Sequence, residues 1–400
     1  MLRKYLLPPS ATRIMLPNKI LWISLFALGA AGLLALVWWL TDHPDKSASA
    51  QPTGGAARTP RHAASGATDL LASAVERLRE NPDRAATLQT LKDLQAALKS
   101  MPRDEALAWI RAFLESGADQ PTGLSFEIAA GGNLTTWPTL RTFMLDALPA
   151  IDPAAAAALS REILTKPTTA DEWALALRNV GRAETSAEAT ALLIEKTAAL
   201  ITNPEWQTNP SVGYLNAFDV LVHTNATAST PLLSSLIQQK DRKDLAHAGF
   251  LTLDRLVQRN PAEVLPQLAA DTALLASRLE MTAQQFARAD LRDPAQQQLV
   301  RNYLLDPART ATELRSFAAI YPNNNRFISN NLLTTESQQS GADLAEHDRQ
   351  VLAIIKSWSA DPAFQPIAEH LRAMTARLTG FVGSPTPPGP PKIKNQIPDP

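Results

Sequence analysis

Two patterns of hydrophobic and polar positions divide the chain. Residues 20–40 are an unbroken apolar run without a single charge, and its 21 residues match the ~20 that a helix needs to cross a hydrocarbon core. From Thr68 onward, apolar residues recur every three or four positions, which is the spacing of helices with one buried face. The patterns predict one transmembrane helix at 20–40 and an all-α body over residues 67–380.

The helical stripes of the body are short and are separated by turn residues. The first contains Leu71, Val75 and Leu78 and ends at Asn81-Pro82. Further stripes cover 138–149, 153–165, 170–182, 187–201, 212–223, 230–239, 242–259 and 272–289, and the last contains Phe364, Ile367, Leu371, Met374 and Leu378. This rhythm predicts a succession of short helices joined by tight turns.

A local unit of Asp or Asn followed by Pro-Ala marks several helix starts. These units begin at Asp152, Asn260, Asp293, Asp306 and Asp361. The Asp or Asn side chain accepts hydrogen bonds from the free N–H groups of the first helical turn. Proline suits the first helical position because it has no N–H, and an N–H at that position would have no partner within the helix. Their spacing is irregular, so no repeat period is defined.

One helix pair, residues 242–270, resembles the repeat unit of HEAT and armadillo proteins. Its first helix carries Leu245, Gly249, Leu253 and Leu256, Asn260-Pro261 turns the chain, and Val264, Leu265 and Leu268 begin the return helix. The resemblance implies a helical-repeat solenoid with a concave binding face. An irregular helical bundle fits the same residues, so both architectures stay open.

Residues 119–137 interrupt the helical rhythm. Leu124, Phe126 and Ile128 alternate with polar residues, Gly131-Gly132-Asn133 follows, and Trp137 closes the stretch. A period of two followed by a glycine turn predicts a small β-hairpin insertion. Because it is much longer than the usual 2–8 residues between helices, Leu124, Phe126, Ile128 and Trp137 are the candidate partner-binding residues. The alternative is a hairpin that covers the body's own core.

The charges around the apolar run predict its orientation. Residues 1–19 carry four basic residues and no acidic one, whereas residues 41–57 carry two acids and one base. Basic flanks stay on the cytoplasmic side, so the leader 1–19 is placed in the cytoplasm and the body outside it. The predicted location is the inner membrane of a bacterium, with the lipid bilayer as partner of residues 20–40.

Two alternatives at the N-terminus stay open. A signal peptide cleaved near Ala50 competes with the uncleaved anchor, and the chain has a second possible start at Met15. Ala27, Ala31 and Ala35 lie on one face of the predicted span, where small residues allow helices to approach closely. They suggest a weak homodimer.

The segments that flank the body have compositions that do not favour a packed core. Residues 41–66 are rich in Pro, Gly, Ala and Ser and predict a flexible tether. Residues 381–400 contain a cluster of prolines and predict a disordered tail.

Charge and composition narrow the functional classes. The total charge is −1, with +4 in the leader, +1 in residues 41–64 and +1 in the tail, which leaves −7 for residues 65–380. An acidic body argues against nucleic acid as a partner. The chain has no cysteine, which excludes disulfides and cysteine-ligated zinc. No motif indicates a cofactor or a metal site.

These observations favour a membrane-anchored extracytoplasmic scaffold that interacts with a protein of the cell envelope. The first alternative is a cell-envelope enzyme whose carboxylates are brought together by the fold, for which the adjacent acids Asp104-Glu105 and Asp171-Glu172 are the visible candidates. The second alternative is a structural spacer.

Overall fold

Helix follows helix through the described chain, as the spacing of apolar side chains predicts. The computed structural model describes residues 61–80 and 83–383. The first helices are α1 (Arg61–Arg79), α2 (Arg84–Ser100), α3 (Arg103–Glu115), α4 (Leu140–Ile151), α5 (Pro153–Ile163), α6 (Ala170–Ala183), α7 (Ala187–Thr202), α8 (Pro204–Thr208), α9 (Val212–Ala217) and α10 (Asp219–His223). The later ones are α11 (Thr230–Ile237), α12 (Lys243–Arg259), α13 (Pro261–Ala270), α14 (Thr272–Ser277), α15 (Leu279–Phe286), α16 (Pro294–Leu305), α17 (Ala311–Ile320), α18 (Gly341–Ala360) and α19 (Ala368–Gly383), with short 3-10 turns at Thr227–Ser229 and Pro362–Ile367.

The predicted capping units account for several helix starts. Asp152 accepts hydrogen bonds from two backbone N–H groups at the start of α5, and Asp293 does the same for α16. Asp361 caps a 3-10 turn instead of an α-helix. The unit at Asp306 starts no helix, because α17 begins later with Thr310 as its cap.

The predicted hairpin is present and is the only sheet among the described residues. Strand β1 (Glu127–Ile128) pairs antiparallel with β2 (Leu134–Thr136). Gly131 and Gly132 turn the chain with φ of +80° and +75°, a conformation that side-chain-bearing residues rarely adopt. The strands are shorter than the alternation predicts, since β1 begins only after Phe126.

The helices pack mainly on their neighbours in the sequence. Examples are α4 on α5 and α6, α11 on α12, and α18 on α19. The pair that resembles a HEAT unit is formed by α12 and α13, whose apolar positions are buried. Gly249 lets α11 approach α12 closely, since a Cβ there would lie 3.2 Å from the Leu233 carbonyl oxygen. The fold is therefore mainly α-helical with one small two-stranded sheet.

Two predicted segment boundaries differ from the structure by a few residues. Helix α1 already begins at Arg61, within the predicted tether, where Ala63 and Ala64 are strong helix formers. Helix α19 continues to Gly383, beyond the predicted start of the tail.

None of the described helices is both long enough and apolar enough to span a bilayer. The predicted transmembrane helix at 20–40, with Ala27, Ala31 and Ala35, lies outside the described residues. The same is true of the leader, of the tether up to residue 60 and of the tail from residue 384.

Candidate functional site

Within the described residues, the longest connection that contains neither helix nor strand joins α17 to α18. It covers residues 321–340, against the usual 2–8 residues between helices. Its first part is anchored in the body, where Tyr321 is buried and the Asn323 N–H donates to the Ala287 carbonyl at 2.9 Å. The remainder, residues 324–340, is here called the strap.

The strap has no regular backbone pairing. Within the described residues, no hydrogen bond links a backbone group of 324–339 to another backbone group. Its many Asn and Ser residues compete for backbone hydrogen bonds and disfavour helix. Contacts to side chains must therefore position it.

The centre of the strap is held by Asp219 on α10. The Asp219 Oδ2 accepts the N–H of Leu333 at 2.7 Å and that of Thr334 at 3.0 Å. The Thr334 hydroxyl donates to the other oxygen of the same carboxylate. Asp219 thus accepts hydrogen bonds from two consecutive N–H groups and one hydroxyl of the strap.

Arg255 on α12 completes this contact. Its Nη2 lies 2.8 Å from the Asp219 Oδ1 and also donates to the Thr334 hydroxyl oxygen. Farther along the strap, the Glu336 Oε1 lies 3.3 Å from the Arg255 Nη2 and 2.8 Å from the Arg259 Nη2. Two guanidinium groups therefore hold the strap's carboxylate.

Another guanidinium, that of Arg178 on α6, holds the turn of the hairpin. Its side chain is fully buried, is bonded to the Asp146 carboxylate and donates to the Gly132 carbonyl at 3.1 Å. Asp146 also accepts the Trp137 indole N–H at 2.8 Å. One ion pair thus fixes both the turn and the end of the hairpin.

Arg182, one helical turn later on α6, lies between the hairpin and the strap. It donates to the Gly131 carbonyl and, at 2.7 Å, to the Asn133 side chain, and its Nη2 is 3.4 Å from the Leu332 carbonyl. Burial, followed by repulsion from Arg178, lowers the pKa of Arg182 to about 10, so the group remains protonated at neutral pH.

The guanidinium of Arg288 holds the beginning of the strap. It binds both Asp254 oxygens, with distances of 2.7 Å from Nε and 2.8 Å from Nη2. Its Nη1 donates to the carbonyls of Asn323 at 2.7 Å and Asn325 at 2.5 Å.

These contacts share one geometry, in which an arginine is paired with an aspartate of the body and its spare N–H groups face a non-helical segment. We call the pairs Arg178–Asp146, Arg255–Asp219 and Arg288–Asp254 the arginine clamps. Guanidinium offers five donors in a planar fork, so it can bind a carboxylate and a second acceptor together. The clamps are chemically suited to hold non-helical polypeptide through its carbonyl and carboxylate groups.

Two glycines let the strap and the hairpin come close to the helices. A Cβ at Gly132 would overlap the Leu332 carbonyl oxygen, and one at Gly181 on α6 would lie 2.8 Å from a Leu333 methyl carbon. The strap therefore lies in a groove formed by α6, α10 and α12.

Apolar burial alone does not explain why the strap stays in place. Only Leu332 and Thr334 of the strap are buried. Burial of a leucine side chain stabilises by ~1.5–3 kcal/mol, whereas ordering each backbone residue costs ~1–2 kcal/mol. The polar contacts to Asp219, Arg255 and Arg259 must supply the difference.

The structure places the four predicted partner-binding residues against the body's own core. Phe126 is 4 % exposed, and Trp137 packs edge-on against Phe143 with ring centroids 5.1 Å apart. Leu124 and Ile128 are half-buried against the same core. Their contact with a partner stays a prediction, since each has a structural role in this chain.

The strap adds an exposed apolar tip beside these residues. Phe327 and Ile328 are 46 % and 54 % exposed, and the Asn330 side chain two residues later donates to the Ile128 carbonyl of β1 at 3.0 Å. The Asn330 side chain thus joins the strap to the hairpin.

Each of the adjacent acids singled out in the sequence has a structural role: two lie at the start of a helix, and two are bonded to other residues of the body. Asp104 and Glu105 lie in the first turn of α3, where helix dipoles favour negative charge. Glu172 is paired with the buried Arg141 at 2.8 Å. Asp171 accepts the Ser211 hydroxyl at 2.6 Å and the Gly213 N–H.

One histidine has two carboxylate neighbours at a surface cleft. The His347 Nδ1 lies 2.9 Å from the Asp348 Oδ1, and its Nε2 lies 3.8 Å from the Asp290 Oδ1. The cleft has a volume of about 280 Å³ and is also lined by Arg292 and Glu346. Within the described part of the chain, no group of three or more His, Asp or Glu residues could hold a metal ion.

The helical spacing does not predict the strap or its clamps. The available signal is the Asn- and Ser-rich stretch 323–331, which is too long and too polar for a turn between helices. Comparison of the chain with family models, curated proteins and solved structures finds no match.

Proposed function

We propose that the protein is a scaffold that binds non-helical segments of other proteins and is held outside the cytoplasm by one membrane-spanning helix. The observation that carries the proposal is the set of arginine clamps, which hold non-helical chain by its carbonyl, N–H and carboxylate groups. Every polypeptide offers carbonyl and N–H groups, so the same chemistry applies to a partner segment.

The membrane placement rests on the N-terminal sequence. The basic leader and the apolar run 20–40 favour a bacterial inner-membrane protein with its N-terminus in the cytoplasm. A phosphatase that folds only outside the cytoplasm, fused after residue 66, should be active. Activity of a cytoplasmic reporter at the same junction would contradict the placement.

The solenoid-like arrangement is the finer architecture that we propose. The helices pack mostly on their sequence neighbours, as stacked repeats do, and α12–α13 supplies one pair of the HEAT type. Such a stack offers a long surface for extended ligands.

The hairpin and the strap tip are the proposed contact surface. Leu124, Phe126, Ile128 and Trp137 shape one part of it, and the exposed Phe327 and Ile328 form the other. Adjacent exposed aromatic and aliphatic side chains are typical anchors for a protein partner.

Photo-crosslinking in living cells tests this proposal. We would place a photoreactive phenylalanine at position 327 of the full-length chain in its native host, with Val212 as the control site because it is similarly exposed at 47 %. One discrete adduct with an envelope protein from position 327, and none from 212, is expected. Equal labelling at both sites would contradict the proposal and favour a structural spacer.

A cell-envelope enzyme is the second candidate, favoured by the cleft at His347. A histidine flanked by two carboxylates is suited to move a proton. His347→Gln should abolish an envelope hydrolase activity if this candidate is correct and should leave the crosslink from position 327 unchanged if the scaffold proposal is correct.

A further inference from the structure

We infer that the groove between α6, α10 and α12 is a peptide-binding site that residues 332–336 occupy in the free protein. The occupant that replaces them is a non-helical partner segment that bends as the strap does, with a leucine, a hydroxyl residue two positions later and an acidic residue two positions after that. This inference rests on the proposed scaffold function and specifies its ligand.

The groove binds backbone N–H, hydroxyl and carboxylate groups that a non-helical peptide can offer. Asp219 accepts two consecutive backbone N–H groups and a hydroxyl, which fits a chain that bends at Leu332-Leu333 and has Ser or Thr at the next position. Arg255 and Arg259 hold a carboxylate two residues later. A fully buried leucine, Leu332, precedes these groups in the strap.

The groove keeps its charges compensated when the strap leaves. Arg255 and Asp219 are paired with each other at 2.8 Å, and both belong to the helical body. Arg259 is 33 % exposed and can be solvated. Departure of the strap therefore leaves Arg259 unpaired but solvated and leaves the buried Arg255 and Asp219 paired with each other, whereas a buried charge without a partner would oppose release.

The strap is also attached weakly along its length. It has no backbone pairing between residues 324 and 339 among the described residues, and its hydrophobic tip faces solvent. A segment that is tethered to its site acts at millimolar effective concentration, so a partner must compete with it or bind when it is weakened.

Peptide binding to the full-length protein in detergent tests the inference. The probe is a fluorescent peptide with the sequence of residues 330–338, and the strap of the protein is weakened by Thr334→Val with Glu336→Gln. The strap variant should bind the probe at least tenfold more tightly than the wild-type chain. A peptide that carries the same two changes should bind the strap variant at least tenfold more weakly than the probe.

Changes on the groove side give a matched control. Arg259→Gln, added to the strap variant, should reduce probe binding by about tenfold. Arg301→Gln should not, although Arg301 is similarly exposed at 30 % and forms an ion pair with Asp361 at 2.8 Å. Equal effects of these two changes would overturn the inference.

Trypsin reports directly whether the strap has left the groove. Arg326 is the only basic residue between 321 and 340, and cleavage after it should be faster in the strap variant than in the wild type. Unchanged cleavage, or an exposed strap without probe binding in a variant whose thermal unfolding matches the wild type, would contradict the inference. The crosslink from position 327 would be unaffected by that failure, so the two proposals fail separately.

Discussion

The hairpin and the strap are two non-helical segments held by the same kind of clamp, but they depend on it to different degrees. The hairpin pairs its own backbone, for example from the Ala129 N–H to the Asn133 carbonyl at 2.8 Å, and it buries Phe126 and Leu134. The strap pairs no backbone between 324 and 339 in the described chain, and only two of its residues, Leu332 and Thr334, are buried as whole residues.

This difference shows what the clamps contribute in each place. For the hairpin, Arg178 and Asp146 fix a segment that already has its own sheet and core. For the strap, Asp219 and Arg255 supply most of the restraint. The strap is therefore the segment that opens first, and its groove is the part of the body that a partner can use.

The largest expected effect comes from breaking the clamp under the hairpin. Arg178→Met leaves Asp146 buried without its guanidinium, which costs ~3–5 kcal/mol when one partner of a buried pair is removed. Urea unfolding should show this loss. Arg111→Gln is the control, because Arg111 is 43 % exposed beside Glu115 and Glu162, and its loss should change stability by less than ~1 kcal/mol.

Two phenylalanines separate the buried hairpin from the exposed strap tip. Phe126→Ala should destabilise by ~3–5 kcal/mol because it empties a buried aromatic site. Phe327→Ala should change stability by less than ~0.5 kcal/mol, as expected for an exposed side chain. Equal melting temperatures for the two variants would show that the hairpin does not cover the core.

The sequence predicts the two segments unequally for a physical reason. In the hairpin, alternation around Phe126 and the Gly131-Gly132 turn are local signals, so its existence follows from neighbouring residues. The strap is positioned by Asp219 and Arg255, which lie far away in the sequence and look like ordinary helix surface charges. Their pairing with Thr334 and Glu336 depends on tertiary structure, and no local pattern reveals it.

The helices and their first residues can likewise be predicted where the signal is local. Stripes such as Leu253 and Leu256 predict helices because burial has the helical period, and Asp152 and Asp293 cap helices through local hydrogen bonds. Asp306 has the same local sequence but starts no helix, because the chain turns once more before Thr310 caps α17.

A smaller effect is expected from the strap's own carboxylate. Glu336→Gln removes hydrogen bonds to charged groups that contribute ~1.5–3 kcal/mol. The population of molecules with an open strap should therefore rise by about tenfold or more. Trypsin cleavage after Arg326 reports the open population. Global unfolding should hardly change, and a large loss of global stability would mean that the strap belongs to the same cooperative unit as the helices.

The smallest effect concerns an ion pair on the hairpin surface. A hydrogen bond from Ser125, together with the charge of Arg84, lowers the pKa of Glu127 below its usual value. Its stabilising contribution is therefore present above the ordinary glutamate pKa and is lost as pH falls through the lowered value. Glu127→Gln should reduce the acid sensitivity of stability slightly and leave the trypsin rate at Arg326 unchanged. A faster trypsin rate would show that hairpin and strap open together.

Native-state hydrogen exchange tests the different dependence of the two segments most directly. The amides of Leu333 and Thr334 donate to the Asp219 carboxylate, while the Ala129 amide donates to the Asn133 carbonyl of the hairpin and the Thr122 amide to the Pro138 carbonyl beside it. Because segments open locally according to their own stability, we predict that the two strap amides exchange at least ~100-fold faster than the two hairpin amides. Equal protection of all four amides would contradict the account, since it would mean that the strap is as firmly held as the hairpin.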